Sequence, residues 1–118
     1  MSYIYCALIL GVIGFQVALI LGAPWGRLTQ GGQIEGPLPR SGRFVAAVSI
    51  ALLIGMALAI LSAGGHWPGW PSWTGWGAVA VNALMMVLNW ITPSTAERKL
   101  WGPITTVIFA LAVAVHWQ

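Results

Sequence analysis

Only seven side chains in this 118-residue chain carry a formal charge at neutral pH, and where they fall limits the chemistry open to it. Arg27, Glu35, Arg40 and Arg43 lie in one stretch, and Glu97, Arg98 and Lys99 in another. Brought together, Glu97 and Arg98 with Arg27, Arg40 or Arg43 would form a charged cluster suited to an anionic ligand or a lipid head group. The same residues also have a plainer use. In Thr92-Pro93-Ser94-Thr95-Ala96-Glu97 the proline ends a preceding helix, and Ser94 with Glu97 matches the Ser-x-x-Glu capping box of a following turn. The arginines would then make surface ion pairs of little energetic weight. Acid–base catalysis would have one carboxylate here and no histidine on the same side, so no catalytic residue is assigned and no enzyme is expected.

His66 and His116 are the remaining candidates for metal chemistry. Two histidines without a carboxylate fall short of the three protein ligands usual at a catalytic zinc. Bis-histidine haem ligation would be formally open to them, but no haem-attachment cysteine motif is present. The simpler reading is a pair of interfacial histidines, and no cofactor is expected. The single cysteine, Cys6, excludes an internal disulfide framework. No Walker loop, dinucleotide-binding glycine motif, His-Glu-x-x-His or Gly-x-Ser-x-Gly occurs.

The elements that must position these residues follow from composition. Hydrophobic residues make up 58% of the chain and charged residues 6%, against about 25% charged in a soluble globular domain. Four apolar blocks, about 3–22, 44–63, 76–91 and 103–117, contain no Asp, Glu, Lys or Arg. A membrane-spanning helix needs roughly 20 such residues, so the sequence predicts a single all-α domain, a bundle of four transmembrane helices. The first block lacks a basic flank and is followed by Ala23-Pro24, so it reads as a retained helix rather than a cleaved signal. Every charge lies in the connections 23–43 and 92–102, and none lies in 64–75 or at either end. Short loops rich in Lys and Arg stay in the cytoplasm, so both charged connections are expected there and both termini outside. Trp25, Trp90 and Trp101 then mark one interface, and Trp67, Trp70, Trp73, Trp76 and Trp117 the other.

Packing between the spans is expected to use small residues. Ala47, Ala51, Gly55 and Ala59 recur at four-residue spacing in the second span, and Gly14, Ala18 and Gly22 in the first. In lipid, such small-xxx-small faces permit close backbone approach, so helices one and two should pack on them. Asn82 and Asn89 are seven apart and share one face of the third span. With Gln16 they form either a ligand-binding line or a set of interhelical hydrogen bonds worth about 0.6 kcal/mol each.

Gly22-Ala23-Pro24-Trp25-Gly26, Leu38-Pro39, Thr92-Pro93-Ser94 with Glu97-Arg98, and Trp101-Gly102-Pro103 together resemble an uncharacterised family of small bacterial four-helix membrane proteins. The resemblance covers most of the chain and implies a bacterial origin and four spans, without an activity. Trp25, Arg27, Arg40, Arg43, Asn82, Asn89, Glu97, Arg98 and Trp101 are the candidate ligand- or lipid-contacting residues. The expected role is a non-enzymatic accessory, assembly or scaffold module working through helix packing. One alternative is an oligomeric transporter, against which the absence of an ionisable residue within a span argues. Another is a lipid-binding or lipid-modifying interfacial protein. Expected partners are membrane lipids and a homo-oligomer or larger membrane complex. A net charge of +3 is too small a basic surface for nucleic acid.

Overall fold

A computed structural model describes residues 2–29 and 36–117, with Arg27 described by its backbone alone. Among these residues there are four α-helices, α1 (Ser2–Ile20), α2 (Arg40–Ala63), α3 (Ser72–Ile91) and α4 (Thr95–Val115), and one 3-10 turn, η1 (Gly26–Leu28). All four helices are long and apolar enough to cross a membrane.

Three helices begin before the apolar blocks that revealed them, because local backbone chemistry rather than hydropathy sets a helix start. Pro39 and Pro71 immediately precede α2 and α3 with φ of −69° and −55°, the values the pyrrolidine ring enforces and a helix entrance accepts. Before α4, the Ser94 side chain accepts a hydrogen bond from the Glu97 backbone N–H at 3.2 Å. The expected 92–102 connection is therefore mostly helix, with only Thr92–Ser94 between α3 and α4. Pro103 does not start this helix but lies inside it. Its ring removes the donor that the Lys99 carbonyl would otherwise receive. Nearby hydroxyls serve the adjoining turns: Thr105 donates to the Trp101 and Gly102 carbonyls at 2.6 and 3.1 Å, and Thr106 to that of Gly102 at 2.8 Å. Such local rearrangement is how apolar helices tolerate proline.

α1 packs on α2 and α3 on α4, with α2–α3 and α1–α4 completing the contacts between neighbours. Tyr5, Ile9 and Val12 of α1 meet Leu53, Met56 and Ile60 of α2 and Ile108, Ala112 and Val115 of α4 in one buried cluster. A smaller cluster joins Leu19, Ala46 and Leu38, which tucks in from the chain leading into α2.

The expected small-residue seam is not how α1 and α2 meet. Gly14, Ala47 and Ala51 are exposed, and a methyl group placed at Gly14 or Gly55 would touch nothing. Ala18 and Gly22 are half-buried, and only Ala59 is fully buried. The reason is helical geometry. At 3.6 residues per turn, each four-residue step rotates by about 40°, so a row spaced by fours winds around its helix. From Ala47 to Ala59 that rotation is about 120°, enough to carry the row from the outside into the core.

Candidate functional site

The charged end of the molecule is built around Phe15. Its ring stacks on Trp25, with centroids 5.8 Å apart and planes at 9°, and meets Trp101 edge-on at 4.8 Å and 73°. Trp101 in turn donates its indole N–H to the Leu28 carbonyl at 2.7 Å, fastening η1 to α4. The other side of that turn is held by Gly26, whose N–H reaches the Gly36 carbonyl at 2.9 Å. Trp25 and Trp101 thus brace this end through Phe15, Trp101 half-buried and Trp25 with its outer part exposed. Trp90 donates to Thr106 Oγ1 at 2.8 Å and lays its ring against Gly102, where an added Cβ would come within 3.1 Å of it.

The arginines serve backbone carbonyls. Arg43 donates from Nε to Leu38 at 2.8 Å and from Nη1 to Ile20 at 3.4 Å, satisfying a carbonyl at the end of α1. Arg98 donates from Nη2 to the Thr92 carbonyl at 3.0 Å, closing the α3–α4 connection. Arg40 is exposed at the first position of α2. The Arg27 side chain and Glu35 lie outside the described residues. Arg43 and Arg98 each hold a helix end through backbone carbonyls, while the Arg98 Nε is buried without a hydrogen-bond partner.

Beneath this end lies a cavity of about 590 Å³. Its apolar wall is formed by Ile9, Val12, Phe15, Leu53, Met85 and Ile108, and its polar lining by Gln16, Ser49, Asn89, Thr92, Glu97 and Thr105. Leu88 and Ile91 line it yet remain exposed, so it opens beside the last turn of α3. The volume lies within the roughly 300–1,000 Å³ range of small-molecule pockets, and an apolar body with a few converging polar groups is their usual chemistry. Glu97 is the one charged residue among the described lining, and it is 8% exposed. It lies in α4, a helix long and apolar enough to cross a membrane, so an ionisable side chain does stand within a candidate span.

The anticipated polar line of Gln16, Asn82 and Asn89 divides. Gln16 and Asn89 line the cavity. Asn82 does not: it is buried in the core and donates to the Tyr5 hydroxyl and to the Ala78 carbonyl, each at 2.8 Å. Sequence reasoning missed Phe15, Tyr5, Gly75 and Gly102. The aromatic pair looked like two more apolar residues, and the glycines had no spacing to set them apart.

At the opposite end, His66 faces Tyr3, its Nδ1 3.3 Å from the hydroxyl. His116 lies against Trp76 with ring centroids 4.2 Å apart. The 2.9 Å contact between His116 Nδ1 and the Ala112 carbonyl requires the proton on Nδ1, because a carbonyl can only accept. Nε2 is left as a buried acceptor without a partner. Among the described residues no group of three His, Cys, Asp or Glu could hold a metal ion. No family model, curated protein or solved structure matches the chain.

Proposed function

We propose that this is a non-enzymatic integral membrane protein that takes an amphiphile from the surrounding lipid into the cavity at its charged end. The observation that carries the reading is the cavity itself: about 590 Å³ between the helices, apolar along its length, polar where Gln16, Asn89, Thr92 and Glu97 converge, and open beside exposed Leu88 and Ile91. A module working by packing alone has no use for such a space, since interiors are normally filled to near crystal density. An amphiphile reaching the mouth from the lipid could seat its tail on the apolar wall without crossing water. Binding, rather than the accessory or scaffold role, is thus the favoured form of the membrane-module reading.

The topology belongs to the same proposal. All the described Lys and Arg residues lie towards the charged end, which we place in the cytoplasm, with both termini outside. The likeness to small four-helix bacterial membrane proteins supports a bacterial plasma membrane. Glu97 on the cavity wall also favours a second reading, in which an oligomer of the protein transports its ligand.

The test is to purify the protein in lipid nanodiscs, extract it with organic solvent and identify what is released by mass spectrometry. A stoichiometric amphiphile should accompany the wild type and be absent from Ile108→Trp and Leu53→Trp, whose larger side chains fill the cavity, with helix content retained by circular dichroism. Equal amphiphile content in folded wild-type and filled proteins would defeat the proposal.

A further inference from the structure

We infer that the head group received at the polar end of the cavity is a hydroxyl, an uncharged group that both donates and accepts. This rests on the amphiphile-binding reading above and names its ligand class. The lining offers both kinds of hydrogen bond. Gln16 presents an acceptor, its Oε1 being buried without a donor. Ser49 donates its hydroxyl proton to the Val45 carbonyl at 2.9 Å, and Thr105 donates to those of Trp101 and Gly102, so these two have lone pairs left to offer. Donors are present as well. Thr92 Oγ1 accepts from the Ser94 N–H at 3.3 Å, which leaves its own proton to give, and Thr29 adds a second hydroxyl to the lining. Asn89 commits one Nδ2 hydrogen to the Met85 carbonyl at 2.7 Å and keeps the other, together with Oδ1.

Formal charge at this end is balanced. Glu97 lines the cavity but already has a partner, so it is no counter-ion held in reserve. Its neighbour in α4, Arg98, carries the opposite charge, with Nη2 on the Thr92 carbonyl at 3.0 Å and Nε buried without a hydrogen-bond partner. Arg98 is not among the described lining residues, and neither is any Lys or His. A phosphate or an ammonium would therefore shed its water where one neighbouring charge attracts it and the next repels it. Each would also leave part of the lining unanswered, since an ammonium only donates and a phosphate mainly accepts. A hydroxyl has no charge to desolvate. Its one proton can go to Gln16 Oε1 while its lone pairs accept from Thr92 or Asn89. An ether has the lone pairs alone.

Four probes with one chain length separate these chemistries: dodecanol, dodecyl methyl ether, dodecylamine and dodecyl phosphate, each titrated at pH 7 into the protein in zwitterionic nanodiscs. Affinities are referred to probe dissolved in the bilayer, and specific binding is the saturable part that Ile108→Trp loses. Dodecanol should bind at least about threefold more tightly than the ether, the margin of one hydrogen bond. It should exceed the amine and the phosphate at least about tenfold, because both must be desolvated without a net counter-charge. Gln16→Leu should weaken dodecanol about threefold and leave the ether unchanged. If that variant does not fold, Gln16→Met, which also lacks the acceptor and keeps the unbranched shape, decides in its place. The ether, the amine or the phosphate binding as tightly as dodecanol, or a folded Gln16 variant keeping the full preference, would each overturn the head-group assignment while leaving the cavity a binding site. Saturable binding by none of the probes would defeat the proposed function itself.

Discussion

Asn82 Nδ2 donates to the Tyr5 hydroxyl at 2.8 Å, and both side chains are almost wholly buried. The bond joins α3 to α1, helices that are not among the principal packing pairs, so it ties the structure across its middle. Hydrogen bonds between apolar helices average about 0.6 kcal/mol and reach about 1.7 kcal/mol. A double-mutant cycle of Tyr5→Phe and Asn82→Leu, read by unfolding in mixed micelles, should return a coupling energy in that range. Strictly additive losses would mean that the contact contributes no stability.

Gly75 is required for want of space. A Cβ there would stand 2.7 Å from His116 Nε2 and 2.9 Å from the Ala63 methyl group, and Ala63 cannot swing aside. Gly75→Ala should therefore cost about 1–3 kcal/mol, the usual penalty of overpacking. Two residues on, Gly77 has nothing within 4 Å of the same position. Gly77→Ala should be neutral or stabilising by up to about 1 kcal/mol through helix propensity. Thermal unfolding of the two variants side by side checks the contrast, and equal behaviour would refute it.

Removing the Ser94 side chain should loosen the start of α4. Ser94→Ala deletes the acceptor for the Glu97 N–H and should cost about 1 kcal/mol, whereas Ser94→Asp should keep most of the stability. Hydrogen exchange at the first turn of α4 reports this locally. Unchanged protection in Ser94→Ala would show that the helix start does not depend on the cap.

Sidedness can be read from chemical labelling. Ser41 and Ser72 are exposed at opposite ends, in the first turns of α2 and α3. In a Cys6→Ala background, a membrane-impermeant maleimide applied to intact cells should label Ser72→Cys and spare Ser41→Cys until the cells are opened. The reverse pattern would invert the proposed orientation.

Hydropathy made the four helices legible, because lipid-compatible length is a property of a single segment. It placed their boundaries less well, since Pro39, Pro71 and Ser94 act through backbone geometry that an apolar average does not register. Ser94 and Glu97 formed the one local motif whose backbone contact could be anticipated, the residues being only three apart. The cavity was not legible. Gln16, Asn89 and Glu97 come from three helices, and nothing in one dimension says which polar residues will share a space and which, like Asn82, will find a partner elsewhere. The row of small residues misled for a related reason: a regular spacing shows that residues line up, without saying which way the row faces.

Trp101→Phe keeps the ring that meets Phe15 and deletes the N–H bound by the Leu28 carbonyl. The loss should be about 1 kcal/mol overall. It should show as faster hydrogen exchange over Gly26–Leu28 with little change in the helices. Uniform loosening of the whole molecule would mean that Trp101 acts through core packing instead.

That bond also sets an order of assembly. Leu28 and Trp101 are 73 residues apart, so the Leu28 carbonyl must wait through the synthesis of two further helices and the start of a third before its partner exists. α1 and α2 can meet early, with the Gly26–Gly36 bond and Arg43 holding the connection locally, but its tie to the rest of the bundle forms only when α4 arrives. A chain broken off before α4 would lack this bond and hold its first connection through the Gly26–Gly36 bond and Arg43 alone.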